Sequence, residues 1–264
     1  MTRRLHQKAI IVTVLSAVAG WTFGQPKQPV ALDVKASGGK TFYVDGRAGN
    51  NQVSVFSQST LEDFTVVCNK VTGQCKLDPK NVESFSGRFS IRVEDLRSGI
   101  DLRDQHLKTA DWFDAAKYPE VVVEITKVEE VKKVEPNTAS AKLIATINMH
   151  GKTGHAVIPA TLTYLDESPT TMKRVKGDLL RIRAEFDVKL SDYGITGPPE
   201  SGVIGLKVSD TQAIKVTVFG STEPPPEPLK VDTDKPTSGP ATSQPATTPP
   251  AVNPPAKVAP PKRP

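Results

Sequence analysis

Residues that usually carry covalent or metal chemistry are scarce in this sequence, which has two cysteines, four histidines and three methionines among 264 residues. No serine or cysteine stands in a glycine-flanked nucleophile elbow. The separation of Cys68 and Cys75 is not the spacing of a zinc site. The sequence therefore predicts no cofactor and no metal, and it argues against a nucleophilic enzyme of that type.

The sequence also lacks an apolar run of the ~20 residues that a membrane-spanning helix needs. A shorter apolar run, residues 9–19, follows three basic residues and precedes Thr22 and Gly24. This pattern is typical of a secretory signal peptide, which we predict over residues 1–24. Because no cysteine directly follows the run, we expect no lipoprotein anchor. We predict a periplasmic or secreted protein.

Charge of one sign is not in large excess on the central part of the chain. The formal net charge is +5, and most of it comes from the predicted signal peptide and from the C-terminal segment. The central part therefore has no basic face to bind a phosphate backbone. Nucleic acid is not a predicted partner.

Proline is concentrated at the C-terminus, where residues 222–264 hold 14 of the 23 prolines and show no apolar periodicity. This composition predicts a disordered, polyproline-like tail. Such a tail could place the protein against the cell wall or a protein partner. We predict a linker over residues 25–40 and one globular domain over residues 41–221, which is long enough for a sizeable core.

Between residues 41 and 220, apolar and polar residues alternate with the period of half-buried strands. The predicted strands cover residues 41–45, 52–56, 63–77, 89–93, 121–128, 141–149, 156–164, 180–190 and 214–218, with a hairpin turn at 151–154. Each predicted strand has one apolar face, and no long helical pattern is present. The sequence therefore predicts an all-β fold of eight or so antiparallel strands that form a sandwich or close into a barrel. Because closure also removes unpaired strand edges, we favour an eight-stranded antiparallel barrel.

Several positions on the predicted inner faces carry small side chains, namely Ala141, Ala145, Ala156, Ala160 and Ala184. An eight-stranded barrel is just wide enough to be filled by side chains or to hold one small ligand. Small inward residues favour a cavity, although they could equally pack against aromatic rings in a filled barrel. The residues that we predict to line such a cavity and bind a ligand are Phe89, Ile91, Leu107, Trp112, Phe113, Leu143, Ile147, Leu162, Tyr164, Ile182 and Phe186.

The alternation stops within residues 98–119, where Asp101 and Asp111 are candidate helix N-caps. We predict two short helical turns that cross one end of the barrel and cover it with apolar side chains. Pro119 lacks a backbone N–H, so the next strand should begin there or directly after it.

A catalytic interpretation of this crossover would pair Asp104 with His106 as a general base. Residues two apart on a helix point about 200° away from each other, so the two side chains would not meet. We expect instead that Arg103, Asp104 and His106 fix the crossover by bonding to backbone and neighbouring strands. A metal interpretation would require His106, His150 and His155 to converge, and histidines at a hairpin tip are more often solvated.

An exported protein could join Cys68 and Cys75 in a disulfide. A straight strand of seven residues spans ~23 Å, whereas Cα atoms joined by a disulfide lie ~6 Å apart. The bridge therefore requires a turn or bulge at residues 71–73, and Gly73 permits one. We favour the bridge, and two separate thiols on strand faces are the alternative.

Several segments of the chain are similar to those of one known family. The stretch RDQHLKTADWFDAAKYPEVVVEI resembles the crossover of the YceI-like polyisoprenoid-binding proteins, and its matching positions include Arg103, Asp104, His106 and Tyr118. The stretch INMHGKTGHAVIPATLTY resembles the glycine-centred hairpin of the family, FDVKLSDYGI its late strand and VSDTQAIKVTV its closing strand. The resemblance implies an exported, lipocalin-like barrel whose apolar interior takes the tail of an isoprenoid lipid.

The leading hypothesis is a non-enzymatic carrier of a long apolar lipid, of polyisoprenoid or quinone type, outside the cytoplasm. The alternative is a structural or interaction module with a filled barrel, tethered by the proline-rich tail. An enzyme that uses His106 is a third hypothesis. Two histidines that the family usually has have no counterpart in VDGRAGNNQVSVFSQST, so the resemblance does not identify the head group.

Overall fold

A computed structural model describes residues 28–198 and 202–226. The predicted signal peptide and nearly all of the predicted tail lie outside these described residues. The strands of the described part are β1 (Lys40–Val44), β2 (Gln52–Gln58), β3 (Asp63–Cys68), β4 (Val71–Asp78), β5 (Asn81–Arg92), β6 (Glu120–Glu135), β7 (Thr138–Met149), β8 (Lys152–Leu165), β9 (Leu179–Lys189) and β10 (Thr211–Ser221). One α-helix, α1 (Asp101–His106), follows β5, and 3₁₀ turns lie at Val93–Asp95, Thr171–Lys173 and Ser191–Tyr193. Within the described ranges, no helix is long and apolar enough to cross a membrane.

The strands close into an antiparallel barrel with eight positions. β1 and β2 lie end to end along β10, because Tyr43 pairs with Ser221 whereas Gln52 pairs with Thr217. β3 and β4 continue one another in the same way, with β3 beside β2 and β4 beside β1. The ring then runs from β4 through β5, β6, β7, β8, β9 and β10 back to β1. The predicted eight-stranded antiparallel barrel is confirmed, and two of its positions are each broken into two strands.

The chain keeps its direction through the break between β3 and β4, which separates the two cysteines. Cys68 ends β3 and Cys75 lies within β4. The predicted disulfide is therefore wrong, and both residues are free thiols buried in different apolar clusters. Gly73 has a positive φ of 135°, but it allows β4 to approach the backbone of β5 closely instead of turning the strand back. Burial raises the pKa of the Cys75 thiol to about 12, so it stays protonated and unreactive near neutral pH.

One end of the barrel is filled by large side chains, and we call it the packed end. Phe42, Phe85, Leu162 and Tyr164 are at most 1% exposed there. The rings of Phe42 and Tyr164 meet edge to face with their centroids 5.6 Å apart, a favourable aromatic geometry. Large side chains therefore occupy this end of the barrel.

A buried carboxylate, Asp178, ties several elements together at the packed end. It accepts hydrogen bonds from the Lys40 ammonium, from the Tyr164 hydroxyl at 2.6 Å and from the backbone N–H of Glu167 at 2.7 Å. Burial alone raises the pKa of Asp178, but these hydrogen bonds outweigh burial and hold the pKa below its usual value. The ionised carboxylate therefore joins β1, β8 and the start of β9.

The middle of the barrel carries much smaller side chains. Ala141, Ala160 and Ala184 lie side by side across β7, β8 and β9, and Ala145 pairs with Ala156 further along β7 and β8. A methyl group reaches less far inward than the leucine and aromatic side chains of the packed end. Of these five alanines, Ala184 lines the cavity in the middle of the barrel.

β8 and β9 pair over only part of their lengths, from Ala160 to Leu165 of β8. Pro159, which has no backbone N–H to donate, stands where this pairing ends. Beyond it, Tyr193 of the segment after β9 is buried against Gly154, so closely that a Cβ at Gly154 would lie 2.4 Å from the tyrosine hydroxyl. A loop segment thus packs against the barrel where these two strands no longer pair.

Several predicted boundaries differ from the observed elements, and bulges explain part of the difference. β6 continues to Glu135, past the predicted end at residue 128, and its register shifts repeatedly against β7. Each shift changes the phase of the alternation, so the sequence pattern ends before the strand does. The hairpin turn consists of His150 and Gly151 instead of residues 151–154, and both have positive φ (51° and 72°), as a type I′ turn requires. The second predicted helical turn of the crossover is a series of hydrogen-bonded turns.

Candidate functional site

An apolar cavity lies in the middle of the barrel, and we call it the inner cavity. Its volume is about 120 Å³. The residues that line it are Val53, Val71, Phe89, Ser90, Ile91, Val121, Val123, Ile125, Leu143, Ile158, Ile182, Ala184, Phe186, Val216 and Val218. Ser90 is the only polar residue in this lining. The inner cavity therefore offers apolar surface and almost no group that could take part in a reaction.

A second space, the outer cavity, lies between the crossover and the β2–β3 hairpin, with a volume of about 380 Å³. Its apolar lining consists of Val55, Phe64, Val66, Leu96, Ile100, Leu102, Leu107, Trp112, Phe113, Leu190, Val203 and Val208, and its polar lining of Glu62, Arg103, His106, Lys207 and Gln212. The outer cavity thus combines an apolar wall with several polar groups. This composition suits an amphipathic molecule better than a purely apolar one.

A layer of side chains lies between the two cavities. Ile91 and Val121 line the inner cavity, whereas Leu107 and Phe113 line the outer cavity. All four pack around the same buried cluster of Val66, Cys68, Val93 and Leu96. Leu107 and Phe113 belong to the crossover, so this segment contributes side chains to the layer between the two spaces.

Arg103 anchors the crossover to the β2–β3 hairpin. Its guanidinium forms an ion pair with Glu62, which lies in the turn before β3. The same guanidinium lies over the ring of Phe64, 4.2 Å from the ring centroid, and this cation–π contact adds to the ion pair. We expected Arg103 to fix the crossover by bonding to backbone and to neighbouring strands, and its side-chain partners are Glu62 and Phe64 of the β2–β3 hairpin.

Asp104 and His106 do not interact as a catalytic pair would. Asp104 is buried and accepts hydrogen bonds from the backbone N–H of Ser98 at 2.6 Å and from its hydroxyl at 2.7 Å. Burial raises the pKa of Asp104, but the bonds from Ser98 outweigh burial and lower the pKa overall. His106 is exposed and lines the outer cavity. The carboxylate is therefore engaged with the start of the crossover and does not orient the imidazole.

The histidines near the tip of the β7–β8 hairpin do not converge with His106 on one site. The rings of Tyr118 and His150 meet edge to face, with centroids 5.3 Å apart, and His150 Nδ1 lies 3.0 Å from the Tyr193 carbonyl oxygen. His155 is exposed on β8. Across residues 28–198 and 202–226, no three His, Cys, Asp or Glu side chains are grouped so that they could hold a metal ion.

The family model for the YceI-like domain matches residues 27–219. The chain belongs to the YceI-like family. The match includes every strand of the barrel except the last two residues of β10.

Relatives of this YceI-like protein share modest sequence identity. A UPF0312 protein of Vibrio cholerae is 28% identical over 140 residues, which are 53% of this chain and 69% of the relative. A UPF0312 protein of Pseudomonas putida is 26% identical over 160 residues, which are 61% of this chain and 74% of the relative.

Solved structures share the fold of this YceI-like protein. BcnA of Burkholderia cenocepacia has a TM-score of 0.52 and 18% identity, and the match covers 67% of this chain and 98% of that one. The YceI protein of Campylobacter jejuni has a TM-score of 0.50 and 18% identity, with 62% of this chain and 88% of that one covered. At these identities the likeness concerns the fold alone.

The structure places the predicted ligand-binding residues of the YceI-like barrel in four locations. Phe89, Ile91, Leu143, Ile182 and Phe186 line the inner cavity. Leu107, Trp112 and Phe113 line the outer cavity. Ile147 lies in a buried cluster with Met149, Leu190, Tyr193 and Ile195, whereas Leu162 and Tyr164 lie in the packed end. The alternation of apolar and polar residues identified which face of each strand points inward. It could not show at which position along the barrel axis the interior is hollow.

Several cavity residues were missed by the sequence analysis. The inner cavity includes Val53, Val71 and Val216, and the predicted strands that hold them supplied no ligand-binding candidate. Val53 and Val216 directly oppose each other across β2 and β10, a pairing that no sequence pattern showed. Lys207 and Gln212 of the outer cavity also carried no signal, because they come from the loop before β10 and from its start.

Proposed function

We propose that this YceI-like protein binds a long apolar lipid of the isoprenoid type inside its barrel and does not transform it. The observation that carries the proposal is the inner cavity, whose fifteen lining residues include one polar side chain. An isoprenoid chain has no polar group along its length, so it matches such a wall. Burial stabilises the complex by ~25 cal/mol per Å² of apolar surface, or ~0.8 kcal/mol per CH₂ group.

The cavity volumes constrain how such a lipid would lie. A cavity of ~150 Å³ in another protein binds benzene, so the inner cavity of about 120 Å³ holds only part of a long chain. The outer cavity of about 380 Å³ is lined by Leu107 and Phe113. We propose that these two side chains rotate to join the cavities. The lipid chain then runs inward and its head group lies among the polar residues of the outer cavity.

The cellular setting is part of the same proposal. The basic residues and apolar run within residues 1–24 support export to the periplasm or the medium. The proline content of residues 222–264 supports a solvated tail that reaches the cell wall or a protein partner. Both arguments rest on sequence, because these segments lie almost wholly outside the described residues.

The test is to identify lipid that copurifies with the full chain and to remove it by filling the inner cavity. Ala184→Leu adds side-chain volume at a lining position, and we expect it to exclude most of the lipid because the added atoms occupy its space. Overpacking should cost ~1–3 kcal/mol in the free energy of unfolding, so the barrel should remain folded. Ala213→Leu adds the same volume at an exposed position of β10 and is the matched control.

The measurement is solvent extraction followed by mass spectrometry, with circular dichroism to verify folding. We expect an isoprenoid-type lipid in the wild type and in Ala213→Leu, and a strongly reduced amount in Ala184→Leu. The absence of lipid from all three folded proteins would contradict the proposal. Equal lipid content in Ala184→Leu and Ala213→Leu would show that the lipid does not occupy the inner cavity.

A further inference from the structure

Four large apolar side chains are exposed around the mouth of the outer cavity, and we call them the apolar rim. Leu61 is 63% exposed, Leu102 61%, Ile100 50% and Leu206 44%. They come from three separate segments: the turn between β2 and β3, the start of α1 and the loop before β10. A single exposed leucine needs no explanation. Several that surround one opening indicate an interaction surface.

Direct contacts show that these segments form one rim. The backbone N–H of Leu61 donates to the carbonyl of Leu206 at 3.0 Å. Glu62, the residue after Leu61, forms the ion pair with Arg103, the residue after Leu102. Ile100 and Leu102 also line the outer cavity, so part of the apolar lining of this cavity is itself exposed at the surface.

We infer that the apolar rim docks onto the surface of a lipid bilayer. That a bilayer is the partner of the rim rests on the proposed lipid-binding function, because the rim surrounds the mouth through which an apolar lipid chain would enter. A long apolar chain that crossed water would lose the free energy of its burial during transfer. Leucine and isoleucine side chains that enter the boundary between head groups and acyl chains remove this exposure.

The charges at the rim indicate which kind of bilayer fits. Two cationic residues, Arg103 and Lys207, are balanced by two carboxylates, Glu62 and Asp101. The ion pair between Arg103 and Glu62 leaves Asp101 and Lys207 to face lipid. One carboxylate and one ammonium complement the ammonium and phosphate groups of zwitterionic phospholipids. We therefore expect apolar insertion to dominate, with little gain from anionic lipid and little loss in salt.

The experiment is sedimentation of the full chain with phosphatidylcholine–phosphatidylethanolamine vesicles. The rim variant is Leu61→Ser with Leu102→Ser, two substitutions at exposed positions that should leave the fold intact. The matched control is Val134→Ser with Met172→Ser, which removes two exposed apolar side chains (61% and 46% exposed). These two residues lie near the β6–β7 and β8–β9 connections, at the packed end of the barrel.

We expect the vesicle partition coefficient of the rim variant to fall roughly tenfold or more, and that of the control to stay within roughly twofold of wild type. Adding phosphatidylglycerol or salt should change wild-type binding by less than about twofold. Unchanged sedimentation of the rim variant, or no sedimentation of the wild type, overturns the inference. So does a wild-type dimer that the rim variant abolishes in size-exclusion chromatography, because the rim would then be covered by a second copy.

The lipid content of the same preparations separates this inference from the proposed function. If the rim variant still carries extracted lipid but no longer sediments with vesicles, the proposed cavity function and the bilayer contact of the rim both stand. If no preparation carries lipid while the wild type sediments through its rim, the proposed cavity function fails and the bilayer contact stands. If lipid is present and the rim variant sediments as the wild type does, the rim inference alone fails.

Discussion

Asp178 illustrates at the scale of single residues how a buried charge contributes to the stability of the packed end. Its pKa in the folded barrel lies below the usual carboxyl value of 3.8, because the hydrogen bonds from Lys40, Tyr164 and the Glu167 N–H outweigh the effect of burial. A depressed pKa means that the folded state binds the proton less readily than the unfolded chain does. The resulting stabilisation is present above the unfolded pKa and is lost as the pH falls through the folded value.

We expect Asp178→Asn to lower the free energy of unfolding at pH 7 by roughly 1–3 kcal/mol, because Lys40 loses its partner. The difference from wild type should shrink as the pH falls below 3.8, the usual carboxyl pKa. Urea denaturation at pH 7, and again near the lowest pH at which the protein remains folded, checks this expectation. Asp33→Asn is the control, because Asp33 pairs with Lys133 at the surface and should contribute less than ~1 kcal/mol. A loss for Asp178→Asn that is the same at both pH values would contradict the argument.

Gly151 shows how far single residues could be interpreted from the sequence. The glycine marked a hairpin turn correctly, because few other residues adopt positive φ without cost. The second reason for glycine was invisible in the sequence: a Cβ at this position would lie 2.5 Å from the ring of Tyr118. That ring arrives from the crossover, 33 residues earlier in the chain, and only the folded barrel brings the two together.

The crossover is the element in which the structure corrects the sequence analysis most. The change of period predicted its existence and its place at one end of the barrel. The helix N-cap is Ile100, not Asp101, and α1 covers only Asp101–His106. The carboxylate that fixes the start of the segment is Asp104, which accepts two hydrogen bonds from Ser98. His106, which we expected to bond to the backbone or to neighbouring strands, is exposed.

Substitutions in α1 separate these roles. We expect Asp104→Ala to cost roughly 1–3 kcal/mol in the free energy of unfolding, because the partly buried Ser98 N–H and hydroxyl lose their acceptor. His106→Ala should change it by less than ~0.5 kcal/mol, because an exposed side chain is removed. Chemical denaturation of both variants tests the expectation, and extraction of bound lipid tests function. A folded His106→Ala protein that loses its lipid would assign His106 a direct role in binding.

The strands also differ in how well they could be predicted. The alternation in β9 is regular, and three of its inward residues line the inner cavity: Ile182, Ala184 and Phe186. β3 and β4 appeared as one continuous strand in the sequence. The break at residues 69–70 has no pattern of its own, because it arises where the partner position changes from β2 to β1. Strand pairing decides such a break, and local sequence does not.

At the scale of the whole molecule, the barrel has one filled end and one hollow region, so a bound lipid should act as part of its core. We expect the lipid-loaded protein to melt roughly 5 °C or more above the delipidated protein, because a ligand at about 100 times its Kd stabilises by ~2.7 kcal/mol. Differential scanning calorimetry before and after delipidation, and after lipid is added back, measures this shift. Removal of residues 227–264 should leave the shift unchanged. A delipidated protein with the same melting temperature would contradict a lipid in the core.

The sequence by itself determined the all-β class and the inward face of most strands, because side chains alternate with period two wherever one face is buried. It also placed the crossover and supplied the resemblance that named the family. Only the tertiary structure decided which level of the barrel is hollow, that the two cysteines stay apart, and that four exposed apolar side chains surround one mouth. These properties depend on which strands pair and in which register. They are contacts between residues far apart in the chain, so no local pattern encodes them.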